Sequence, residues 1–205
     1  VYLFGVKLKN FLTCFEKTNN TNNLFLQKKG NYKALIVYQQ AECIYDITFY
    51  FAGRFLKKGD RTIDQMIQAA RSGKQNIAEG SSASIASSET ELKLMNVARA
   101  SLQELLVDYE DFLRVREMEQ WALEDPRTKQ TRKICSHNTD SAYYRKAIKE
   151  RSTETIANIA ITFIHQTDVC LRKLIERLHL DFVRTGGVRE QMSNARLNYR
   201  RRNNS

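Results

Sequence analysis

Proline occurs once in this chain of 205 residues, at Pro126, and glycine only eight times. Proline removes a backbone donor and glycine supplies the conformations that reverse a chain, so little here can end a regular element. An all-β chain would need a turn signal about every 8–12 residues, and such signals are missing. The sequence therefore predicts long helices. Apolar residues recur at helical spacing in four stretches: about 33–57 (Tyr38, Ala41, Tyr45, Thr48, Ala52, Phe55), about 61–79, about 89–117 (Leu94, Val97, Ala98, Leu102, Leu105, Tyr109, Phe112) and about 152–183 (Ile156, Ala160, Phe163, Thr167, Cys170, Leu174). Short turns between the early stretches make them antiparallel neighbours. The expected fold is all-α: an antiparallel, up-down-up-down four-helix bundle over 31–183. An N-terminal extension (1–30) precedes it, an irregular connection (118–151) precedes the last helix, and a short helical, basic tail (184–205) follows.

The second helix carries the most distinctive segment, QAARSGKQNIAEG, from Gln68 to Gly80. Met66, Ala70, Gly73 and Ile77 share a face, and Gly73 there implies a helix packed unusually close. Arg61, Gln65, Gln68, Ser72, Asn76 and Glu79 form a wholly polar stripe. The segment reads as a packing and capping signature of Gln68, Arg71, Gly73, Asn76, Glu79 and Gly80, with Gly80 as the residue that stops the helix. Asp60 is the expected cap of this helix, and Ser88-Glu89-Thr90-Glu91 the capping box of the next.

The net charge of +10 sits mainly at the two ends. Residues 1–30 carry +4 and 184–205 carry +5, whereas 31–183 carry only +1. Within the body, 104–125 hold eight acids and two arginines, and 127–151 hold eight Lys/Arg and two acids. The expectation is that this basic connection lies back along the acidic end of the third helix and is neutralised there. Cys14, Cys43, Cys135 and Cys170 have no paired spacing and read as reduced thiols of a cytoplasmic protein, with Cys43 and Cys170 buried. No apolar run reaches the length of a membrane span. The first residues lack the basic segment of a signal peptide, and the missing initiator Met suggests a fragment.

Tyr38-Gln39 with Ala41, the QAARSGKQNIAEG segment, and Val97-Ala98-Arg99-Ala100-Ser101-Leu102-Gln103-Glu104-Leu105 occur in that order. Together they resemble the bacterial four-helix-bundle proteins first noticed as 23S rRNA intervening-sequence proteins. The resemblance covers roughly 31–116 well and the last helix more loosely. Trp121, the long connection and Gly186-Gly187 are similar to a longer subgroup with a C-terminal suffix region. A more distant likeness is to the accessory variability proteins of diversity-generating retroelements. That branch implies a ring-shaped homo-oligomer that binds nucleic acid and a reverse transcriptase through basic surfaces.

His137, His165 and His179 are far apart and have no partner at ligand spacing, so neither catalysis nor a metal, cofactor or small-molecule substrate is expected. Two basic groups are the candidate RNA or DNA contacts: Arg54, Lys57, Lys58 and Arg61 at the turn between the first two helices, and Arg196, Arg200, Arg201 and Arg202 in the tail. The alternative is a protein-interaction scaffold with no nucleic-acid role.

Overall fold

The computed structural model describes residues 31–203, which contain helices and no strand. The N-terminal extension (1–30), with Cys14, lies outside the described residues. A 3-10 turn, Tyr32–Ala34, leads into α1 (Ile36–Phe55), α2 (Arg61–Ala83), α3 (Ser88–Val115), α4 (Pro126–His137), α5 (Ser141–Ala147), α6 (Thr153–Thr185) and α7 (Val188–Asn203).

Local chemistry sets most of these boundaries. Asp60 caps α2 as the sequence predicts, its carboxylate accepting from the Thr62 N–H at 2.9 Å. That hydrogen bond holds the Asp60 carboxyl below its usual range. The cap of α3 is Ser87 rather than Ser88, with the Ser87 hydroxyl accepting from the Thr90 N–H at 3.1 Å. Gly80 does not stop α2, which continues to Ala83. A Cβ at Gly80 would come within 3.3 Å of Leu94 Cβ and 3.4 Å of Glu91 O, so this glycine serves the close approach of α3. The true stop by glycine is at Gly186, where φ is 71° after the last turn of α6.

The four long helices close a cycle of contacts: α1 lies against α2 and α6, and α3 lies against α2 and α6. Their shared interior holds Ile44, Ile47, Phe51, Met66, Ile77, Met95, Leu102, Leu105, Tyr109 and Phe163, all essentially inaccessible. Half of the predicted stripe of α1 is buried, at Ala41, Thr48 and Ala52, and the buried face extends from it to one side. Val37, Gln40, Ile44, Ile47 and Phe51 point inward, while Tyr38, Tyr45 and Phe55 are only partly covered. On α3, Val97 lies at the surface rather than in the core. Buried hydroxyls return to their own helix, with Thr48, Thr162 and Thr167 donating to the carbonyls of Ile44, Asn158 and Phe163 at 2.8–2.9 Å.

The connection before α6 is not irregular. It contains α4 and α5, which strap the outside of the molecule, α4 on α6 and α5 on α1. Asp125 caps α4 and Pro126 occupies its first turn, where a missing N–H costs nothing. Asn158 of α6 ties down the preceding loop, accepting from the Trp121 N–H and donating to Glu119 O, both at 2.8 Å. The basic strap packs on α6 and α1 rather than along α3, but part of the expected neutralisation is present. Arg127 meets Glu119 and Asp125, and Lys129 meets Glu124, all acids of 104–125, while Arg145 meets Asp46 of α1. Among the described cysteines, Cys43 is buried as expected, Cys170 is only half so, and Cys135 is buried as well.

Candidate nucleic-acid interface

On α1, Tyr45, Phe49 and Gly53 follow one another at intervals of four residues on a single helical face, with Tyr45 at the edge of the core and Phe49 and Gly53 exposed. α5 lies across the same side and is fixed there by several bonds. Tyr144 is 3% exposed, with its ring 5.1 Å from that of Phe163. Its hydroxyl donates to Asn138 O at 2.9 Å. Arg145 Nη1 meets Asp46 Oδ2 at 2.6 Å and Ser141 Oγ at 3.1 Å. Thr139 Oγ1 donates to Gln39 Oε1 at 2.9 Å, and Tyr50 OH reaches Lys149 O at 3.4 Å.

Between the two elements runs an open groove of about 510 Å³, lined by Tyr45, Asp46, Phe49, Tyr50, Gly53, Arg54, Arg145, Ile148 and Lys149. Its floor is apolar and its rim cationic. Phe49 is 58% exposed, unusual for a phenylalanine with a folded core at hand. The neighbouring Tyr45 ring, 6.2 Å away and tilted 35°, carries Lys74 of α2 over it at 4.2 Å. Gly53 has nothing within 4 Å of where a Cβ would stand. Gly53 stands in the last turn of α1, and packing within the chain does not account for a glycine there. It keeps the groove floor low between Phe49 and Arg54.

The sequence-predicted corner is therefore joined to a larger feature. Arg54 lies in the groove, and Lys57, Lys58 and Arg61 continue the positive charge past the end of α1, all exposed. Tyr45, Phe49, Gly53, Arg145 and Lys149 escape the sequence reading. The available signal was Phe49, an aromatic residue off the predicted apolar stripe and followed by a glycine one turn on. A second basic cleft of about 350 Å³ lies between α4 and α6, lined by Lys129, Arg132, Lys133, Ser136 and Gln166.

The tail arginines are not brought to this groove. Lys149, at the groove, stands four residues before the start of α6, whose 33 residues span roughly 50 Å. Arg196, Arg200, Arg201 and Arg202 lie on α7, beyond the far end of α6, and all are exposed. The Gln68–Gly80 segment does not form a site either. Gly73 is buried under Leu102, Asn76 donates to Ser72 O at 2.9 Å, and Ser72 Oγ meets Ser101 Oγ at 2.9 Å. Gln68, Arg71 and Glu79 are exposed.

Among the described residues no three His, Cys, Asp or Glu side chains gather at metal-binding distance. Burial pushes the Cys43 thiol up to about 12 and the Cys135 thiol up to about 11, far from thiolate reactivity. No helix among the described residues is long and apolar enough to cross a membrane. Set against family models, curated proteins and solved structures, the chain matches none of them.

Proposed function

We propose that this chain is a non-enzymatic, homo-oligomeric accessory protein, an up-down-up-down four-helix bundle that binds single-stranded RNA or DNA along the α1–α5 groove and the adjoining corner. The observation that carries this reading is Phe49, open to solvent in an apolar groove whose rim holds Arg54, Arg145 and Lys149. Single strands are held without sequence preference by that combination: bases stack on aromatic rings while cations follow the phosphates. A duplex would present no unstacked base to Phe49. The closed cycle of contacts among α1, α2, α3 and α6 supports the bundle topology, as does the pairing of Arg99 with Asp168 at 2.6 Å while Asn158 meets Glu119 and Trp121.

The test is fluorescence anisotropy with a labelled 20-nucleotide RNA, its DNA equivalent and a duplex control, at several salt concentrations. Phe49→Ala should weaken single-strand binding by about 1–3 kcal/mol, the scale of one stacked base. Arg54→Ala and Lys149→Ala should each flatten the salt dependence by about 0.7 in log–log slope. Absence of binding at 50 mM salt, or affinity indifferent to Phe49, would overturn the reading. The apolar floor of the groove favours the second reading, a scaffold that docks a protein partner such as a reverse transcriptase, and that reading gains if Phe49→Ala abolishes protein capture but no RNA is bound.

A further inference from the structure

α7 projects from the end of α6 with its surface open to solvent. None of its residues is buried, and it makes no substantial packing contact with another helix. Its 16 residues are amphipathic all the same. Val188, Met192, Ala195 and Tyr199 fall within about 60° of one another at 100° per residue, with Met192 45% and Tyr199 69% exposed. Arg189, Arg196 and Arg200 form a ridge along one side of that stripe. An isolated helix of this length is marginal in water, so its apolar face needs a cover.

A matching surface lies on the outside of α3. Val97, Val107 and Val115 are 40%, 54% and 67% exposed on one face of that helix. Ala100, Glu104, Asp108 and Asp111 lie between them on the same face. Glu104 and Asp111 are exposed there, and Asp111 meets Arg114 of its own helix at 2.6 Å. From Val97 to Val115 is roughly 27 Å of helix, long enough to accept the roughly 17 Å between Val188 and Tyr199.

We infer that α7 of one copy docks along the outer face of α3 of a second copy, its apolar stripe over the three valines and its arginine ridge against Glu104 and Asp111. This names the joint of the homo-oligomer proposed above and rests on that part of the reading. The junction supports a projecting arm. Gly186 N–H donates to Phe182 O at 2.9 Å, Gly187 N–H to Glu190 Oε2 at 3.0 Å, and Gln191 Nε2 to Gly186 O at 3.2 Å. Those bonds fix the direction in which α7 leaves α6. The valines of the same chain stay uncovered.

Light scattering on the full-length chain tests it. Arg196→Glu with Arg200→Glu should raise the dissociation constant of the oligomer about tenfold or more, as should Glu104→Lys with Asp111→Lys. All four changes in one chain should restore the parental mass. The arginine pair is exposed, so its variant keeps the folded body and decides the question even where the α3 variant is poorly folded; Met192→Glu is the second tail variant and should dissociate the oligomer likewise. An oligomer whose mass ignores both charge pairs overturns this joint and leaves the oligomeric reading standing. A parental chain of monomer mass overturns both. Tail variants that keep the parental mass yet lose RNA affinity overturn the joint and return the arginines to nucleic-acid binding.

Discussion

Gly73 and Gly53 are both helical glycines, yet they answer to opposite pressures. A Cβ at Gly73 would stand 2.8 Å from Leu102 Cδ2 and 2.9 Å from its Cγ, and Leu102 is itself sealed in the core. The gain in helix propensity is about 1 kcal/mol, and the cost of overpacking a core is about 1–3 kcal/mol. Gly73→Ala should therefore lower stability by about 1 kcal/mol in urea denaturation, whereas Gly53→Ala, with open space around it, should raise it by about 0.5–1 kcal/mol. Glu91 offers a test by pH. Burial pushes its carboxyl up to about 7 from 4.5, with Arg177 pulling the other way. Between those values the folded chain keeps a proton that the unfolded chain has released, so stability falls as pH rises through the window. Glu91→Gln should be more stable than the parent at pH 8 and equal to it at pH 4. At this scale the sequence disclosed that Gly73 meant close approach. It misled at Gly80, because a glycine that ends a helix and one that admits a neighbour are spelled alike until the neighbour's path is known.

The boundary of α3 shows the same ambiguity one level up. Ser87 and Ser88 are both followed at the third position by a residue able to complete a cap, Thr90 and Glu91. Glu91 is half-buried, and its backbone carbonyl faces Gly80. That leaves Ser87 as the cap. Ser87→Ala should cost about 1 kcal/mol and Ser88→Ala no more than a few tenths, read from thermal melts of the two variants. The strap was less legible because α4 and α5 have short apolar faces: only Thr128 and Cys135 of α4 and Tyr144 of α5 are buried. Periodicity has little to register in such a helix. Asp125-Pro126 was a usable signal, since a capping acid before a first-turn proline starts a helix as readily as it breaks one.

Over the whole molecule, the long helices were readable because each sustains a buried face for five turns or more. The groove was not, since Phe49 and Lys149 are 100 residues apart in sequence and meet only because the strap crosses α1. Charge summed along the chain hid the same fact: the basic connection faces α1 and α6, not the acids of α3. The order of the helices along the chain has a consequence for synthesis. α1, α2 and α3 are complete by Val115, but α6, which seals the faces of α1 and α3, ends at Thr185. At about 5–20 residues per second the ribosome needs roughly 4–14 s to add those seventy residues. For that interval Ile44, Phe51, Leu105 and Tyr109 line an open trough on a nascent chain, long enough for a holdase to bind, and the seal comes only when the last long helix emerges.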